Sequence, residues 1–161
     1  MLEGWDSNIV TFIEQCNKHS VRMLMVGGGA VNFHGYQRHS ADVDFWLDTS
    51  PSNLKKLIFA LNEMGYEITE FPESVQNQEQ NISLKFSPES IFIELITRFS
   101  INKTFDEAYV ESEPVIINNH PLLKWHVISL NDLITSKIKA GRPKDFLDIQ
   151  ELQRIKGNTD E

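Results

Sequence analysis

Apolar positions near the start of the chain recur every three or four residues. Trp5, Ile9, Phe12, Ile13 and Cys16 form this stripe, and Asp6 or Ser7 stands ready to cap it, which predicts an amphipathic helix. The period then changes. Residues 21–26 are a short apolar run of strand formers that ends at Gly27-Gly28-Gly29, and residues 30–35 read as a short helix after that glycine turn. Residues 43–47 predict a second strand. Ser50 as cap and Pro51 at the first position open a helix striped by Leu54, Leu57, Ile58 and Leu61 and stopped at Gly65. Residues 67–71 read as a strand and the polar residues 74–81 as a loop. Two strands at 82–86 and 91–96, joined by residues 87–90, predict a hairpin. A second, shorter hairpin is expected from 115–117 and 125–128 around Asn118-Asn119. Ser129 caps a helix over 131–140 that ends at Gly141. Pro143 starts the last helix, with Phe146, Ile149 and Leu152 expected inward.

Helices and strands in this order predict an α+β fold: a mixed β-sheet flanked by helices, with a C-terminal helical segment. The 161 residues suit a single domain over 1–161, with residues 1–118 as the core and residues 119–161 as a hairpin and helices packing on it. There are 23 acidic and 15 basic residues, a net charge of −8, which argues against non-specific binding to DNA or to an anionic membrane. No apolar run approaches the roughly 20 residues that cross a bilayer. The first ten residues hold Glu3 and Asp6 where a signal peptide has a basic run, so a cytoplasmic location is expected. The single cysteine, Cys16, excludes an internal disulfide and falls on the apolar side of the first helix.

The candidate chemistry begins at Asp42-Val43-Asp44. On a strand, alternate side chains share a face, so Asp42 and Asp44 point together and Val43 points away. Two carboxylates so placed repel each other, and an Mg²⁺ or Mn²⁺ ion between them removes the repulsion. Taken alone, this pair is better explained as a solvated strand end. Glu94 is a carboxylate in the middle of the apolar run Ile91-Phe92-Ile93-Glu94-Leu95-Ile96, where burial without a partner would cost several kcal/mol, on the order of magnitude given by transfer data. A turn at 87–90 places Ser83 opposite Glu94 and Lys85 on the same face. Glu94 then pairs with Lys85, or faces water on an edge strand, or shares a cation with Asp42 and Asp44. Gly27-Gly28-Gly29, between a strand and a helix, lets backbone approach a phosphate, although it matches neither the Walker loop nor the dinucleotide fingerprint. Lys137, Lys139, Arg142 and Lys144 form a basic cluster. It is either a solvated helix face or a partner for phosphates. Lys137 is expected at the surface, where its loss would leave stability nearly unchanged. His34, His39 and His126 have no metal-ligand spacing.

Together these segments resemble the nucleotidyltransferase superfamily typified by DNA polymerase beta. Val26-Gly27-Gly28, Asp42-Val43-Asp44 and Glu94 follow its pattern of a glycine turn, an Asp-apolar-Asp strand and a later carboxylate. The stretch from Val26 to Asp44, and that from Leu130 through Lys137, Gly141, Arg142, Pro143, Lys144 and Asp145 to Asp148, look like small bacterial members related to abortive-infection-system toxins. Many members carry Asp where Glu94 stands. The resemblance implies transfer of a nucleoside monophosphate from an NTP to an acceptor hydroxyl, with two metals about 3.5–4 Å apart. It assigns Asp42, Asp44 and Glu94 to the metals, with Glu94 also taking the acceptor's proton. Gly27, Gly28, Arg38, Ser40, Lys137 and Arg142 are assigned to the nucleotide. The acceptor remains open between RNA, protein and a small molecule, and a cognate protein partner is compatible with the toxin likeness. An antibiotic-modifying nucleotidyltransferase and an inactive nucleotide-binding or antitoxin-like module are the alternatives.

Overall fold

Helix α1 (Ser7–Lys18) forms where the three-to-four spacing predicts it, and its buried side chains Ile9, Phe12, Ile13 and Cys16 are the expected stripe. The computed structural model describes residues 7–37, 42–86 and 92–160, so Trp5 lies outside the described residues. Strand β1 (Met23–Val26) is buried at every position, as befits a strand covered on both faces. Helix α2 (Gly27–Phe33) follows with no intervening loop, so the three glycines are its first turn, not a turn preceding a helix. Strand β2 (Val43–Leu47) leads to helix α3 (Pro51–Glu63).

Ser50 precedes α3 in extended conformation, but its side chain makes no capping bond. The Asp48 carboxylate instead accepts from the Ser50 amide at 3.0 Å. Buried Asn53 ties the same corner together, accepting from Arg22 N at 2.8 Å and donating to the carbonyls of Arg22 and Asp48 at 3.0 and 2.7 Å.

Residues 67–71 form no strand. The Asn62 side chain bonds both the amide and the carbonyl of Ile68, at 2.8 and 2.9 Å, and so satisfies the groups a ladder would have paired. The predicted loop at 74–81 contains a single helical turn, α4 (Glu73–Gln76). Strands β3 (Ile82–Leu84) and β4 (Ile93–Ile96) pair antiparallel with Ser83 opposite Glu94, the register expected from the sequence. The connecting residues 87–90 lie outside the described residues. Helix α5 (Phe105–Val110) has no counterpart in the sequence reading. A capping box starts it: Thr104 Oγ1 accepts from the Glu107 amide, and the Glu107 carboxylate accepts from the Thr104 amide. Strands β5 (Glu113–Ile116) and β6 (Lys124–Val127) make the second hairpin. Helix α6 (Leu130–Ala140) is capped by Ser129 and closed by Gly141 at φ 60°, and α7 (Asp145–Asp160) completes the chain.

The six strands make one mixed sheet, ordered β3-β4-β2-β1-β6-β5. Strand β2 runs antiparallel to β1 and parallel to β4, and β1 runs parallel to β6. The alternation along β2 holds. Phe45 meets Phe12 of α1 on one face, at 6.4 Å between ring centroids. On the other face Trp46 meets Phe99 and Phe105, each at 5.2 Å. Among the described residues no helix is long and apolar enough to cross a membrane.

One inward assignment fails. Phe146 is 60% exposed and Leu147 is exposed beside it, whereas Asp145 and Asp148 are buried with Leu152. The inner face of α7 begins with carboxylates because a buried lysine from α6 meets it there.

Candidate active site

Asp44 and Glu94 stand side by side. Strands β2 and β4 are parallel neighbours and their register pairs Asp44 with Glu94, which sets the two backbones about 4.8 Å apart. Period-two alternation puts both side chains on the Trp46 face of the sheet. Asp42 immediately precedes β2, two positions from Asp44, and its charge is felt there. Burial pushes the Asp44 carboxyl up to about 6, and the negative charges of Asp42 and Glu94 push it the same way. Lys137 and Lys144 oppose that rise. Five residues named from the sequence therefore act on one another electrostatically around Asp44 or belong to the same cluster.

The glycine turn forms the rim. Gly27 has φ 61°, a conformation that side chains with Cβ rarely adopt, and a Cβ there would stand 2.4 Å from Asp44 Oδ2. Gly28 is buried behind it. At Gly29 a Cβ would stand 2.9 Å from the Met25 sulfur, so that glycine serves packing against β1. Arg38 and Ser40 lie outside the described residues.

The basic cluster divides. Lys137 is buried, not a surface lysine. Its Nζ lies 3.1 Å from Asp148 Oδ2 and 3.4 Å from Asp145 Oδ1. The solvated-helix-face alternative is thereby corrected for this residue, and so is its expected place at the surface. Arg142 grips Asp145 with two side-chain bonds, 2.7 and 3.1 Å, and its amide donates to the same carboxylate at 3.2 Å. Burial raises the Asp145 carboxyl, but Arg142 and Lys137 outweigh burial and leave it below its ordinary value. The Asp145 bonds also raise Arg142, with Asp148 and Asp44 adding to the effect. Lys139 points elsewhere and bonds Asn102. Lys137 and Arg142 are thus both held by the buried aspartates of α7.

Oxygen is the only donor type that Asp42, Asp44 and Glu94 offer, which fits Mg²⁺ or Mn²⁺ and does not fit a thiophilic metal. Among the described residues no three acidic, His or Cys side chains close into a ready-made metal cage. Asp42, Asp44 and Glu94 are thus not gathered into a three-ligand site.

A family model described as a nucleotidyltransferase of unknown function (DUF6036) matches residues 6–160. The chain belongs to this nucleotidyltransferase family. No curated protein matches it. The match spans the acidic strand pair, the glycine turn and the α6–α7 corner alike, so every part of the cluster falls within the family's extent.

Three residues of this cluster, Asp145, Asp148 and Ser83, had no site role in the sequence reading. Asp145 and Asp148 hold Lys137 and Arg142 from behind, and their three-residue spacing on a helix was the available signal. Ser83, located opposite Glu94 from the hairpin, donates its hydroxyl to Glu94 Oε2 at 2.5 Å. His34 and His126 stay outside the cluster, and His39 lies outside the described residues. His34 bonds the Ile128 carbonyl, and His126 packs on Tyr109 and meets Ser112.

Proposed function

We propose that this nucleotidyltransferase moves a nucleoside monophosphate from an NTP to an acceptor hydroxyl, using Mg²⁺ or Mn²⁺ held by Asp42, Asp44 and Glu94. The observation that carries the reading is the crowding at Asp44. Burial, with the charges of two further carboxylates, pushes its carboxyl up to about 6 against the pull of two lysines. Such a cluster is costly for folding alone, and a divalent cation would relieve it. When bound, the cation supplies charge neutralisation at the transferring phosphorus and its oxygens.

In this reading the acceptor oxygen bonds to the α-phosphorus and the bond to the bridging oxygen of the β-phosphate breaks. Pyrophosphate leaves, and Glu94 takes the proton of the acceptor hydroxyl. The amides of Gly27 and Gly28 are proposed to face the triphosphate, beside the Asp44 carboxylate that a Cβ at Gly27 would displace. Arg38 and Ser40 are proposed to assist there. Arg142 and Lys144 face the incoming phosphates, and Lys137 adds charge from below. Phosphoryl transfer asks mainly for positioning and neutralisation, which these residue types supply.

A toxin-like activity on RNA is the proposed biological setting, resting on the likeness to abortive-infection-system toxins. The test is incubation of the protein with each α-³²P-labelled NTP, Mg²⁺ and total cell RNA. Label on RNA that disappears in Asp44→Asn is expected. Absence of label on RNA, protein and small molecules alike, with all four NTPs, would overturn the enzymatic reading.

A further inference from the structure

Glu94 lies between two neighbours in the sheet. Strand β4 has β2 on one side and β3 on the other, so Asp44 flanks Glu94 on one side and Ser83 on the other. The Ser83 hydroxyl donates to Glu94 Oε2 at 2.5 Å. The bond therefore anchors one carboxylate oxygen on the side away from Asp44. Ser83 does not engage the second oxygen, Oε1.

That arrangement answers a problem of chain length. Glu has one more rotatable bond than Asp, and an unrestrained Glu must lose that freedom whenever it ligates a cation or accepts a proton in a fixed place. A hydrogen bond to a carboxylate is stronger than one between neutral groups, so Ser83 can fix the rotamer in advance. Ser83 is exposed on the edge strand β3, and so its hydroxyl contributes no core packing.

We infer that Ser83 is a positioning residue for Glu94: it holds Oε2 on the β3 side and keeps Oε1 for the cation shared with Asp42 and Asp44. The inference rests on the reading of Glu94 as the third carboxylate. It makes Glu94 a one-oxygen ligand whose reach is set by the β3–β4 register.

The experiment is titration with Mn²⁺ alone, free ion being counted by electron paramagnetic resonance, for wild type, Ser83→Ala, Ser83→Thr, Glu94→Gln and the Ser83→Ala/Glu94→Gln pair. Ser83→Ala is expected to weaken Mn²⁺ binding roughly tenfold, as loss of a bond to a charged group would. Ser83→Thr keeps the hydroxyl and should bind as wild type does. In the Glu94→Gln background Ser83→Ala should add no further loss, since the two act as one unit. Wild-type affinity in Ser83→Ala, with Glu94→Gln weakened, overturns the role of Ser83 and leaves Glu94 in place. Equal losses in Ser83→Ala and Ser83→Thr also overturn it. Wild-type affinity in Glu94→Gln removes the underlying reading of Glu94 itself.

Discussion

Gly27 lies so close to Asp44 that a methyl group on its Cα would stand 2.4 Å from the carboxylate oxygen Oδ2. Backbone and carboxylate are mutually placed: the turn after β1 can follow this path only without a Cβ, and Asp44 fills the space a Cβ would take. Gly27→Ala therefore has two costs. The left-handed φ of 61° costs an L residue about 1–2 kcal/mol, and Asp44 must move. Lower thermal stability together with lost metal-dependent NTP binding is expected. Gly65→Ala is the control, since Gly65 is also at positive φ but nothing lies within 4 Å of the added carbon. It should lose stability and keep binding. Intact NTP binding in Gly27→Ala, measured by calorimetry, would separate the turn from the site.

Asp44 makes the free protein's stability depend on pH. Its carboxyl is raised to about 6, above the 3.8 of an unperturbed Asp. Between those values the folded state holds a proton that the unfolded state has released, so stability falls as pH rises through this window. The full difference corresponds to about 3 kcal/mol at most. Asp44→Asn removes the dependence. Without metal, the variant should be more stable than wild type at pH 7.5 by about 1–3 kcal/mol and should match it near pH 4. Urea unfolding at the two pH values in the presence of a chelator measures this. A variant equally destabilised at both would show that Asp44 is needed for packing and that its charge is not the source of strain.

Metal and nucleotide should complete each other's site. Mg²⁺ or Mn²⁺ with an NTP is expected to raise the melting temperature by more than the sum of the separate effects, because each ligand that binds only the folded state stabilises it. Asp44→Asn should abolish most of that synergy while leaving any metal-independent effect. Equal NTP affinity with and without the metal, by calorimetry, would remove the cation from the nucleotide site.

Much of this arrangement was legible in the sequence, and the exceptions have identifiable causes. The strand over residues 43–47 was legible, and the expected register of Ser83 opposite Glu94 is the one observed. The pairing of Asp44 with Glu94 was not legible, because nothing local specifies which strands become neighbours in a sheet. Residues 67–71 have strand-forming composition, but the Asn62 side chain occupies the Ile68 backbone groups. Phe146 seemed an inward residue on the assumption that helices bury apolar side chains. Here Lys137 is already inside, and the carboxylates that neutralise it take the inward positions of α7. The Thr104–Glu107 capping box was readable and announces α5, though the helix it starts is only six residues long.

Lys137 and Lys144 should separate folding from binding. Lys137 is enclosed, with Asp145 and Asp148 within 3.4 Å. Removing one partner of a buried ion pair leaves uncompensated charge, and such losses run to about 3–5 kcal/mol. Lys137→Ala should therefore destabilise the free protein strongly, by an amount that urea unfolding resolves. Lys137→Met keeps the packing of the stem but removes the cation beside Asp145 and Asp148, so it should recover only part of the loss. Lys144 is exposed and acts on Asp44 through its charge. Lys144→Ala should leave stability within about 0.5 kcal/mol of wild type, yet weaken NTP binding at fixed Mg²⁺ by about 1–3 kcal/mol. The contrast is the informative quantity. A stable Lys137→Ala protein would mean that the aspartates of α7 find other partners. Unchanged NTP affinity in Lys144→Ala would return that lysine to the solvated face of the α6–α7 corner and leave the triphosphate to the glycine turn, Arg142 and the cation.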